Sequence, residues 1–142
     1  MLFQRINRSD AERVFAIFYN VAGAAITANY PAVWDIDSPD GVQVSKPATA
    51  TLSLIVGIAT ESIADSAYGK FQVYGYRGSA YITNDTSVAV AAGNILIPVD
   101  AQWYLDYSSA SDGKTGFILA AEAYGTLTTP VGANKKVFIR CL

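Results

Sequence analysis

Histidine is absent from the 142 residues. That removes the commonest general base, the Ser-His and Cys-His nucleophile pairs, and the commonest metal ligand. Cysteine occurs once, at Cys141, so the chain can form neither an internal disulfide nor a cysteine zinc site. Charge is scarce too. Asp, Glu, Lys and Arg make up 15% of the chain, against a usual share of about 25%. The net charge of −2 argues against nucleic-acid binding by the chain as a whole. Long hydrophobic runs are also missing. The apolar stretches are broken by Asn, Thr, Gly or Pro well short of the roughly 20 residues that span a bilayer, so no membrane partner is expected. Met1 to Arg13 carries Arg5, Arg8 and Arg13 without an apolar core in the right frame for a secretory signal. Synthesis and use without export by that route is the expectation.

What is present is hydrophobic, at 51%, and rich in Gly and Tyr. Such a chain builds a core, because disorder requires low hydrophobicity and high charge. Turn signals recur at Ala22-Gly23, Asp40-Gly41, Tyr68-Gly69, Arg77-Gly78, Asn84-Asp85, Ala92-Gly93, Asp112-Gly113 and Val131-Gly132. This spacing suits an all-β sandwich or barrel. Strands are predicted over 14–21, 31–36, 51–59, 70–76, 79–83, 95–99, 103–107, 117–124 and 136–141. The rival for the first is a helix over 9–19, where Ser9-Asp10-Ala11-Glu12 has the form of a capping box. The expected fold is all-β, a compact barrel-like or sandwich-like single domain over 14–142, with residues 1–13 as an N-terminal arm.

The chain also echoes itself. Gly57-Ile58-Ala59-Thr60-Glu61, Tyr68-Gly69 and Phe71-Gln72-Val73-Tyr74 parallel Leu119-Ala120-Ala121-Glu122, Tyr124-Gly125 and Val137-Phe138-Ile139. The stretch Ala25 to Val33 parallels Ala91 to Val99. Two interlocked β-halves around one barrel-like core would explain this pseudo-repeat.

Motifs for chemistry are weak. Asp35, Asp37 and Asp40 lie within seven residues, but an EF-hand loop fails, with Pro39 at the fifth position and Lys46 at the twelfth. A solvated Asp-Gly turn is the plainer reading. Glu61 and Glu122 could be imagined as an acid and base pair for glycoside hydrolysis, yet nothing in the spacing joins them. No catalytic residue, metal site or cofactor is assigned, and a non-enzyme is expected. The aromatic excess is more informative, because Tyr and Trp dominate interface hot spots and interface cores are depleted of charge. Trp34, Tyr74, Tyr76, Trp103 and Tyr104 are the interface candidates. In the arm, Leu2, Phe3, Arg5 and Arg8 combine apolar anchors with cations and are candidates for docking on an acidic neighbour.

Val56-Gly57-Ile58-Ala59, Tyr68 to Tyr76, Val88 to Pro98, Phe117 to Ala123 and Lys136 to Ile139 carry a resemblance. In them the chain resembles the head decoration, or cement, proteins of tailed bacteriophages. The resemblance covers residues 14–142 and is a pattern of small residues and strands rather than a catalytic signature. It implies a small β-barrel-like domain on the virion, bound outside the head to a lattice of major capsid protein. The implied state is a symmetric homotrimer, with a dimer as the alternative, made in the host cytoplasm. The arm has no match in that pattern and could set capsid preference. A spike or fibre base that binds host glycans is the alternative. Physically, a shell under internal pressure is reinforced by many copies that each bridge several subunits, and repetition multiplies modest contacts.

Overall fold

The computed structural model describes residues 11–38, 40–83, 89–108, 116–125 and 132–141. Among them the regular structure is β apart from one 3-10 turn at Thr49–Thr51. The strands are β1 (Arg13–Asn20), β2 (Pro31–Trp34), β3 (Gln43–Ser45), β4 (Ile55–Ala59), β5 (Tyr68–Ile82), β6 (Ile95–Pro98), β7 (Leu105–Tyr107), β8 (Ile118–Ala120) and β9 (Ala133–Arg140). No helix among the described residues is long and apolar enough to cross a membrane.

The pairings close two rings. In the first, β1 joins β3, β3 joins β2, β2 joins β4, β4 joins β5, and β5 returns to β1. In the second, β5 joins β7, then β6, β8 and β9 follow, and β9 returns to β5. The long β5 serves both rings, its first half in one and its second half in the other. The pairings repeat in direction as well. β1 runs parallel to β3 and β5 runs parallel to β7, while the other pairs are antiparallel in both rings.

The register confirms that the halves are the same motif. Pro31 opposes Ile58 in the first ring and Ile95 opposes Leu119 in the second. Ile58 opposes Gln72, and Leu119 opposes Phe138. The isolated bridge Ile26–Ile63 has its counterpart in Val90–Tyr124. The echo seen in the sequence is therefore real, and its alignment is corrected at two places. Ile26 matches Val90, so the stretch from Ala25 matches Ala89 onward rather than Ala91 onward. Tyr124 matches Ile63 rather than Tyr68.

The interior also differs from a single core. One apolar cluster holds Ile26, Ala32, Val44, Val56, Ala59, Ile63 and Phe71. A second holds Ile82, Val90, Leu96, Leu105, Ile118, Val137 and Ile139 with Ile55 and Ile58. β4 sends Val56 and Ala59 to the first cluster and Ile55 and Ile58 to the second, so it is buried on both faces. That is why its sequence reads as a continuous apolar run instead of alternating.

One local expectation stands and two change. The segment whose rival was a helix is strand from Arg13, as predicted over 14–21, paired with β5 over Arg13–Tyr19 and with β3 at Tyr19 and Asn20. Arg77-Gly78 is no turn. It lies within β5 beside the register shift between Arg77 and Ala80, so the strands predicted over 70–76 and 79–83 are one. The Arg77 guanidinium secures this bulge. Its Nε donates to the Ser79 carbonyl at 2.6 Å, and its Nη2 donates to Asn29 Oδ1 at 2.6 Å and the Ala59 carbonyl at 2.9 Å. Finally, the short β3 follows the Asp40-Gly41 turn, where no strand is predicted. Asp40 Oδ1 accepts from the amides of Val42 and Gln43 at 2.8 and 2.9 Å and sets the chain into that strand.

Candidate functional site

β5 pairs with β1 from Arg13 to Tyr19 along one edge, and β3 pairs with it at Tyr19 and Asn20 on the other. Its odd-numbered side chains point away from the core. Phe15 is 45% exposed, Ile17 is 59% exposed and Tyr19 is half-buried. Across on β5, Ile17 faces Lys70 and Tyr19 faces Tyr68. Tyr68 is 66% exposed and its ring meets Tyr19 at 4.9 Å between centroids. The Lys70 ammonium lies 5.4 Å from the centre of the Phe15 ring. Together they form an apolar ladder in water with a cation at its side. Isolated exposed apolar residues need no explanation, but a contiguous row points to a contact surface.

The sequence-predicted aromatics lie elsewhere and are engaged with neighbours. Trp34 is half-buried and meets Phe18 edge-on at 5.0 Å. Trp103 stacks on Tyr30 at 5.9 Å with 16° between planes, and the Lys46 ammonium lies 5.8 Å from its ring centre. Both tryptophans pack against the first cluster. Tyr74 meets Phe138 edge-on at 5.6 Å. Tyr76 and Tyr104 are half-buried, and the Tyr76 carbonyl accepts from Gln72 Nε2 at 3.0 Å. Trp34, Trp103 and Tyr74 thus each meet an aromatic ring outside the five. Leu2, Phe3, Arg5 and Arg8 lie outside the described residues. The signal that could have found the ladder was the unbroken apolar run of β1. A strand with one core face should alternate, so the excess apolar residues had to emerge on the outside.

Two surface hollows accompany the ladder. One, about 290 Å³, is lined by Trp34, Asp35, Ile36, Gly41 and Leu54. The other, about 390 Å³, is lined by Ala89, Val90, Ala91, Ala123, Tyr124 and Gly125.

The overall arrangement has a counterpart among solved structures. The fold resembles a phage head-fibre base. One match is the crystal structure of the head fiber gp8.5 N base of bacteriophage phi29, with a TM-score of 0.51. It covers 89% of this chain and 94% of that one at 12% sequence identity, so the head-fibre likeness is one of fold, sustained nearly end to end. No family model and no curated protein matches the sequence.

The carboxylates singled out in the sequence have structural partners within this head-fibre-like fold. Glu61 Oε1 accepts from the Lys70 amide at 3.0 Å, and Glu122 Oε1 accepts from the Lys136 amide at 2.9 Å. These are the same position in the two rings. The Lys136 amide, and then the ammonium groups of Lys136 and Lys135, hold the Glu122 carboxyl below its ordinary range. Asp35 Oδ1 accepts from the amides of Asp37 and Ser38 in its own turn. Among the described residues no group of three or more Asp, Glu or Cys could hold a metal ion. Cys141 packs against the second cluster, and burial pushes its thiol up to about 12. Burial thus disfavours the thiolate, the nucleophilic form.

Proposed function

We propose that this chain is a structural virion protein that binds the outer surface of a phage capsid and stabilises the major capsid protein lattice by bridging subunits. The observation that carries this reading is the fold, similar over nearly its whole length to that of a protein described as the base of a head fibre. The exposed ladder on β1 and β5 fits such a role, since burying aromatic and aliphatic surface needs no acid, base or cofactor. The protein acts non-catalytically and as a homo-oligomer, a trimer or a dimer. It is made in the host cytoplasm and works on the capsid exterior.

Co-sedimentation with undecorated phage heads tests this. Saturable binding at a fixed ratio to the capsid protein, with heads that then resist heat, is the expected result. Absence of binding overturns it.

A second reading is favoured by the Trp34 hollow and by the fibre-base counterpart: the base of a spike or fibre that binds host glycans. A glycan lays its apolar face on an aromatic ring and its hydroxyls on a carboxylate. Trp34 and Asp35 line one hollow and supply both. Binding to heads at low copy number without heat resistance, together with glycan binding that Trp34→Ala abolishes, would select this reading.

A further inference from the structure

The repeat supplies an internal control for the ladder. Matching the rings through their registers puts Phe15 on Tyr76, Tyr19 on Tyr81 and Tyr68 on Asn134. Lys70 falls on Lys136, which faces the bulge Gly78–Ser79 where the first ring has Ile17. The same architecture thus forms with a bulge and an asparagine where the first ring exposes Ile17 and Tyr68. The fold does not require apolar groups at those two places.

We propose that the Phe15–Ile17–Tyr68 face is where a second copy of this chain packs. The inference deepens the oligomeric part of the function proposed above and rests on it, whereas capsid binding can stand without it. Two observations select the occupant. First, the face carries both signs of charge at its side. The Lys70 ammonium lies against Phe15, and the exposed Glu61 accepts from the Lys70 amide, so acid and base share one rim. A strongly acidic or basic partner would meet repulsion from one of them. A second copy brings the opposite sign to each, as a self-complementary contact requires. Second, the size fits. With full aromatic areas of about 150–250 Å² each, Phe15, Ile17 and Tyr68 leave roughly 350 Å² in water. That is the apolar centre of an interface burying about 800 Å² per partner.

The test is the solution mass of the full chain over a concentration series. A double substitution transplants the second ring's residues: Ile17→Ser with Tyr68→Asn. Because the fold accommodates those residues at the matching places, the variant should remain folded by circular dichroism. The wild type is expected at a multiple of 15.1 kDa and the variant at 15.1 kDa itself. Tyr68→Asn alone should weaken association by more than about tenfold, and Tyr68→Phe should leave it nearly unchanged. A wild type that is monomeric throughout overturns the proposal together with the oligomeric reading. If it is monomeric and the double variant also fails to co-sediment with heads, the face belongs to the capsid contact. An oligomer of equal strength in wild type and variant overturns this surface and leaves self-assembly intact.

Discussion

Asn20 in the first ring occupies the place that Ile82 occupies in the second, each facing the same partner strand position, Val44 and Leu105 respectively. Both are buried. Ile82 contributes to an apolar cluster. Asn20 works as a polar staple, its Nδ2 donating to the carbonyls of Ala24, Ile63 and Ala64 while its Oδ1 accepts from the Ala22 amide. The outer faces differ in the opposite sense, apolar in the first ring and interrupted by the Gly78–Ser79 bulge and Asn134 in the second. A duplicated strand plan therefore tolerates exchange of polar and apolar groups both inside and outside, provided each buried polar group finds its partners. The pairing geometry is the invariant, and the side chains record what each half does.

The shared strand offers the strongest way to break both rings at once. Gly75 has φ +98° and opposes Arg13 of β1 and Ile139 of β9. A Cβ there would run into the Glu12 carbonyl oxygen. Gly75→Ala adds backbone strain to a backbone clash and should cost about 3 kcal/mol or more, read as a lowered urea midpoint. Because β5 belongs to both rings, the loss should appear in one cooperative transition. Two separated transitions would show that the rings unfold independently.

The next effect sharpens the contrast between Asn20 and Ile82. Asn20→Ile places the second ring's residue in the first. It strands the Ala22 amide and the three carbonyls that Asn20 now serves, and should cost about 2 kcal/mol in the same measurement. A neutral outcome would mean that water replaces the side chain at that corner.

Most of the strands were legible in the sequence because aromatic and β-branched runs between glycine turns are reliable strand signals. β1, β2, β6, β8 and β9 fall within a few residues of the segments read from the sequence. What was hidden has physical causes. β3 has three residues and depends on Asp40 capping a turn, too little for any periodicity. β5 passes through Arg77-Gly78, a turn-like pair locally, because the Arg77 hydrogen bonds to Asn29 and Ala59 come from far along the chain. Two clusters rather than one follow from ring closure, a property of topology that no segment carries by itself. The repeat was visible through Glu61 and Glu122, but connections of unequal length between the matched strands shifted its register elsewhere. The candidate surface was half legible. The apolar run 14–21 was evident, but its outward half emerges only once the inward half is known.

The smallest effect probes the feature the rings have in common. Glu61 and Glu122 each accept an amide from the strand that closes their ring, and Glu122 adds a 3.6 Å contact to the Lys136 ammonium. Its carboxyl titrates below its ordinary value, chiefly because the Lys136 amide donates to the charged form. A carboxyl group lowered on folding stabilises the folded state above its unfolded value, and that contribution is lost as pH falls through the lowered folded one. Glu122→Gln keeps an acceptor oxygen and removes the charge. The variant should therefore melt slightly below the wild type at neutral pH. The two melting curves should converge in acid, below the usual carboxylate range. The pair is exposed, so the gap at neutral pH should also shrink in high salt. A gap that persists unchanged in acid would assign the contribution of Glu122 to its shape in the turn rather than to its charge, and the likeness to Glu61 would then be one of packing.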